Sequence, residues 1–309
     1  MFSVPQPSPP YSGQPDGVEA HAEVLAVLAG LVDDAALFPP ASAPMAEAVS
    51  AHRRHRAAPY AALVGRFLCP AGRVAEMRAV LDAEPARAGP SLVGTGLTGP
   101  LRVGLIADAA TDGLPLALAD VAADPRLVLE AVEVPLPAGI SGRRQVSEAA
   151  EHAVAALPTG LLGYVEVPRV PGWEAGLDVL SVLGRGAKLR TGGAGPDTVP
   201  SIAEMAEFLT ACAVRLLPLK CTAGLHHAVR RHDPAAGTDQ HGFLNVLVGA
   251  AAAVTRADPT GPLSDPDGAR LAKQALALDA GPVRALFASF GSCSIAEPVA
   301  DLRTLGLLP

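Results

Sequence analysis

Lys188 and Lys220 are the residues of this chain whose type and spacing most directly suggest chemistry. The sequence holds 24 Lys and Arg together, and only Lys188, Lys220 and Lys273 are Lys. Arg serves wherever a surface charge is needed, so a Lys at a strand end points to a compact charge or to an amine that can lose its proton and attack a carbonyl. Two close ammonium groups disfavour each other's protonation, and burial adds to this. One amine can then condense with a ketone or aldehyde. Alternatively both stay cationic and grip an enolate or carboxylate. The plain structural alternative is an ion pair inside a strand layer.

Other polar residues collect near the same predicted strand ends. Arg190 lies two residues after Lys188 and Thr222 two after Lys220, so each shares a strand face with its lysine. Glu166 and Arg169 end the preceding strand, with Glu133, Asp108, Arg66, Asp33 and Asp34 on earlier ones. Together they describe a polar cup for a small anionic molecule, in which Glu166, Asp108 or a His moves protons. Gly192 and Gly193 let backbone approach a ligand closely. Gly291 and Ser292 open a turn into a helix at about residue 295, a suitable place for phosphate or carboxylate unless Ser294 simply caps the helix. His226 and His227 follow the Lys220 strand as substrate-binding or acid/base groups. No HxH or HExxH spacing is present, so no metal and no cofactor is expected. The cluster His52-Arg53-Arg54-His55-Arg56 reads as a solvated helix face.

Eight strand patterns carry these residues: 31–37, 61–68, 101–107, 128–134, 161–167, 186–191, 216–222 and 285–290. Helical patterns alternate with them at 44–57, 70–83, 113–123, 144–157, 172–183, 200–213, 239–254 and 295–305, with an extra helix at 266–277. Ser201 with Glu204 three residues on reads as a capping box. This order predicts an α/β fold, a (β/α)8 TIM-type barrel, with an open doubly wound sheet as the rival. Residues 1–17, rich in Pro, Ser and Gly, read as a flexible tail, and 18–309 as one barrel domain with a long insertion at about 223–284. The insertion is long enough to cover the barrel mouth. Gly94-Thr95-Gly96-Leu97-Thr98-Gly99 matches GxGxxG, but Pro100 and a strand follow it, so it is not a dinucleotide site.

Half the residues are hydrophobic and 4% are aromatic, which suits helices on a buried parallel sheet. The net charge of -7 excludes a nucleic-acid surface. Four scattered Cys form neither a disulfide framework nor a zinc ribbon. The apolar run from Phe243 to Val254 is too short to span a bilayer. A soluble cytoplasmic protein is expected, with a small-molecule substrate and compatible with a homo-oligomer.

The segments DDAALFPPA, LVGRFLCPA, AKLRTGG, LKCTAGLHH, HGFLNVL and FGSCSIAEPVADLRTLGLL, spread over nearly the whole chain, resemble a family of uncharacterised bacterial proteins. At motif level the chain is similar to deoxyribose-phosphate aldolase and other class I aldolases. Those barrels carry a Schiff-base Lys on the sixth strand before a Thr/Gly-rich turn, and a second Lys on the seventh before a Gly turn. Here Lys188 precedes Thr191-Gly192-Gly193, and Lys220 precedes Thr222-Ala223-Gly224. The resemblance implies Lys188 as nucleophile and Lys220 as the group tuning it. Arg190 and the paired His depart from the aldolase pattern. The expected activity is an aldolase-like lyase acting on a small phosphorylated or carboxylated carbonyl compound. The alternatives are a cofactor-free isomerase or decarboxylase, a metal-dependent hydrolase, and a non-catalytic binding protein.

Overall fold

The computed structural model describes residues 26–84, 99–107, 111–193, 198–234 and 237–309. The segments 1–17 and 94–98 and the residue Asp108 lie outside the described residues. The strands are β1 (Val32–Asp34), β2 (Val64–Pro70), β3 (Leu101–Ile106), β4 (Leu127–Pro135), β5 (Leu162–Glu166), β6 (Gly186–Arg190), β7 (Leu219–Thr222), β8 (Arg231–Asp233), β9 (Thr238–Gln240) and β10 (Phe287–Ser292). Eight of them form a closed parallel barrel in the order β1-β10-β7-β6-β5-β4-β3-β2, with helices alternating along the chain. The open-sheet rival is thereby excluded. β8 and β9 pair antiparallel to each other outside the barrel.

The strands form where short Val- and Leu-rich runs bury both faces, as in β2, where Val64, Phe67, Leu68 and Cys69 are all buried. The helices bury one stripe each. Helix Ile202–Val214 inserts Met205, Ala206, Phe208, Leu209 and Cys212 into the layer, and it starts with the capping box expected of Ser201 and Glu204. Each large apolar side chain buried in this way contributes about 1.5–3 kcal/mol. Stacked pairs fix the outer layer, Trp173 on Phe208 at 4.9 Å and Phe243 on Phe290 at 5.1 Å.

Three expectations about the helices need correction. His52 and Arg53 do not lie on a solvated face: both are buried, His52 against Asp34 and Arg53 against Glu84. The helix Met45–Ala57 has too few apolar residues to fill its inward stripe, and these two side chains complete it with acidic partners. The long connection is also more helical layer than cover. Its helix Phe243–Val254 buries nine residues and packs on Ile202–Val214, where a barrel helix belongs. Buried Asn245 ties the connection together by accepting from the Arg230 amide and donating to the carbonyls of Pro262 and Asp265. The helical pattern at 239–242 gives way to β9 and an extended Gly242, because Thr238–Gln240 pairs with β8. Among the described residues no helix is long and apolar enough to cross a membrane.

The barrel interior is sized by glycines as well as by side chains. A Cβ placed at Gly186 would lie 2.5 Å from two ring carbons of Tyr164, the fully buried phenol opposite it on β5. Gly186→Ala should therefore destabilise the protein by about 1–3 kcal/mol, the usual cost of overpacking. Urea denaturation measures this, and adding Tyr164→Leu should restore part of the loss. An alanine variant as stable as the parent would show that the ring has room to move.

Candidate active site at the barrel mouth

Lys188 and Lys220 both enter the barrel, as neighbours in register on β6 and β7. One carboxylate joins them. Glu133 on β4 places Oε1 on Lys220 Nζ and Oε2 2.8 Å from Lys188 Nζ, the latter off the hydrogen-bonding direction. Lys220 also donates to Asp33 Oδ2 at 2.6 Å, and Lys188 lies 3.1 Å from Glu166 Oε2. Glu166 in turn accepts from Arg190 Nε at 2.8 Å. Asp33 is further held by Ser289 Oγ at 2.8 Å and by the Arg66 amide at 2.7 Å. The result is a line of alternating charges, Arg190–Glu166–Lys188–Glu133–Lys220–Asp33–Arg66, running through the barrel.

Burial falls steadily along that line toward the mouth. The side chains of Lys220 and Asp33 are 0% exposed, Lys188 4%, Glu166 15% and Arg190 51%. Burial opposes every one of these charges, and the opposite charges beside them overcome it where a shift is resolved. Glu133 is held well below the usual carboxylate range by Lys188 and Lys220. Lys220 is raised above the usual amine range by Asp33 and Glu133, so it is a fixed cation. Tyr164, whose hydroxyl is buried without a hydrogen-bond partner among the described residues, is raised by burial and stays a neutral phenol.

The other expected site residues divide. Thr222 ends β7 at the mouth, where its carbonyl accepts from the Thr191 amide and hydroxyl. Gly192 serves loop packing: a Cβ there would lie 2.6 Å from the Gly224 Cα, so the turns after β6 and β7 interlock backbone to backbone. Gly193 follows with φ +147, in the region that favours glycine. Arg66 runs away from the mouth. Its Nε lies 3.4 Å from Glu130, which also pairs with Arg102 near the N-terminal ends of β4 and β3. Gly291 is buried beside Leu68, and Ser292 donates to the Ser294 carbonyl within its own turn. Ser294 accepts from the Glu297 amide, so the helix start expected to hold an anion already has a cap and a carboxylate in its first turn.

His226 and His227 turn to that same last helix. Their Nδ1 atoms lie 3.2 Å from Glu297 and 3.1 Å from Asp301, one helical turn apart. Cys293 Sγ lies 3.8 Å from His226 Nδ1, and burial pushes its thiol up. Among the described residues no group of three or more His, Cys, Asp and Glu side chains is placed to hold a metal ion. Among the described residues, clefts of about 430 and 280 Å3 open outside the barrel along Trp173 and helix Ile202–Val214. Neither touches the lysines.

The sequence pattern assigned roles to Lys188, Lys220, Glu166 and Arg190, which the fold brings together. It placed Glu133 and Asp33 in the polar cup without seeing that they hold the lysines, and it gave no signal for Ser289 or Tyr164. A carboxylate two residues from the end of an apolar strand was the available clue for Glu133. No family model, curated protein or solved structure matches the chain.

Removing the central carboxylate should expose the electrostatics. Glu133→Gln leaves two buried ammonium groups with less compensation and should cost about 3–5 kcal/mol. Because the Glu133 pKa is lowered on folding, its contribution is present above the ordinary carboxylate range and is lost as pH falls from about pH 5 downward. Urea titrations across that range should therefore show a steeper acid loss in the parent than in Glu133→Gln. Parallel curves would mean that Glu133 is not ionised in the folded protein.

Proposed function

We propose that the protein is an aldolase-like lyase in which Lys188 forms a Schiff base with a small anionic carbonyl compound. The observation that carries this reading is the position of Lys188: its amine lies between Glu133 and Glu166 at the open end of the charged line, whereas Lys220 is sealed beneath it. The neutral amine attacks the carbonyl carbon, and the oxygen departs as water after two protonations. The resulting iminium accepts the electron pair of the C–C bond that breaks. Glu166, 3.1 Å from the amine and 15% exposed, moves the protons. It takes one from Lys188 and later removes one from the hydroxyl beside the breaking bond. Lys220 stays charged and fixes Glu133 beneath the reacting amine. Arg190, half exposed at the mouth, attracts the substrate's negative group.

A second reading has a specific observation in its favour. Glu133 touches both ammonium groups, which suits two permanent cations and a cofactor-free isomerase or decarboxylase that stabilises an enolate. The two readings differ over a covalent bond. Borohydride treatment with a panel of short aldehydes and ketones, followed by peptide mass spectrometry, should label Lys188 and leave Lys220 unlabelled. Lys188→Arg should abolish the label and the turnover together. No label across phosphorylated and carboxylated members would remove the covalent reading, and turnover surviving in Lys188→Arg would favour the charge-only one. A carbonyl compound that raises the unfolding temperature without turnover would instead mark a binding protein.

A further inference from the structure

Three segments meet beside the mouth at residues 200–204. His241, at the end of the β8–β9 hairpin, is 1% exposed and its Nε2 lies 2.7 Å from the Pro200 carbonyl. Pro200 leads into the capping box of Ser201 and Glu204. Arg169, three residues beyond Glu166 in the loop after β5, donates through Nη1 to Glu204 at 2.7 Å. Arg230 donates through Nη2 to Asp239 at 3.0 Å, two residues before His241, and its amide is held by Asn245. The two guanidinium groups are three-quarters or more buried, while their carboxylate partners Glu204 and Asp239 are about half exposed.

His241 carries the unexplained atom. With Nε2 donating to a carbonyl, Nδ1 presents a lone pair, and it is buried with no partner among the described residues. Burial first, and then the nearby charges of Arg230 and Arg169, keep the imidazole neutral. A buried acceptor with two cations nearby and no donor among the described residues is costly unless something else occupies the space. An oxyanion answers all three groups: it bridges the guanidiniums and offsets their field, and the ring can then take a proton from solvent and donate from Nδ1.

We propose that Arg169, Arg230 and His241 form a phosphate-binding rim that holds the phosphate of a small phosphorylated carbonyl compound while its carbonyl reaches Lys188. Three donors from separate segments suit the three free oxygens of a phosphate monoester better than a planar carboxylate. The reach is suitable, because three residues span at most about 11 Å from Glu166, which touches Lys188, to Arg169. The substrate assignment rests on Lys188 being the reacting amine. The rim itself does not.

Calorimetric titration with inorganic phosphate tests the rim. Saturable one-to-one binding is expected, weakened about tenfold or more in Arg169→Gln and in Arg230→Gln. Arg230→Lys should recover part of it, and Arg102→Gln, at the N-terminal end of β3 away from the mouth, should leave it unchanged. Titrations in buffers of different ionisation heat should show proton uptake that His241→Gln removes. Unsaturable binding, or binding insensitive to both Gln variants, would overturn the rim. Borohydride trapping of glyceraldehyde and glyceraldehyde 3-phosphate then separates the two ideas. Labelling of Lys188 should favour the phosphorylated aldehyde in the parent and lose that preference in Arg230→Gln. Phosphate binding without any label leaves the rim standing and defeats the Schiff base. A label with no preference for phosphate does the reverse.

Discussion

The carboxylate of Glu133, fully buried between two ammonium groups, is the interaction on which the architecture turns. A lone carboxylate inside a barrel would shed its charge, and two lone lysines would shed theirs. Held together, each makes the others tolerable. The arrangement demands that β4, β6 and β7 present three inward residues to one another, with β1 supplying Asp33 from across the interior. Only a closed sheet brings β1 and β4 side chains to the same amine. Closure of the barrel and ionisation of its interior are therefore one requirement.

That requirement explains why lysine is retained at these two places in a chain that otherwise uses arginine. Lys220 meets Asp33 and Glu133 in a space with no exposure at all, and Lys188 meets Glu133 and Glu166 in nearly as little. An ammonium is a point charge that fits between two strands; a planar guanidinium needs a broader, fork-shaped partner. Where the interior widens toward either end the chain returns to Arg, with Arg190 above and Arg66 below. Tyr164 over Gly186 and Leu68 beside Gly104 and Gly291 fill the apolar remainder, large against absent side chains.

Most of the scaffold was legible because it rests on local patterns. All eight barrel strands fall within a few residues of their apolar runs, and Ser201 with Glu204 announces a helix start that the structure contains. The pairing of Lys188 with Lys220 was legible from their positions on consecutive strands. What escaped depends on contacts distant in sequence. Asp33 and Asp34 are adjacent, yet one enters the barrel to hold Lys220 and the other faces outward to pair with His52. Charge clusters such as 52–56 look solvated until the acidic partner is known, and Glu84 and Asp34 are far from them in the chain. Gly192 suggested a ligand approaching backbone; the backbone that approaches belongs to Gly224.

The gradient of exposure along the charged line bears directly on the proposal that Lys188 is the reacting residue. Lys220, Asp33 and Glu133 are sealed, so a substrate that touched them would have to part strands that their own attraction holds together. Glu166 and Arg190 are open to solvent, but neither is a nucleophile suited to a carbonyl. Lys188 lies at the boundary, with one carboxylate beneath it that is fixed by Lys220 and another above it that half-exposed Arg190 holds. The sealed part of the line thus supplies a fixed charge pattern, and the half-exposed end supplies access. The amine chemistry proposed for this chain needs both, and Lys188 is where they meet.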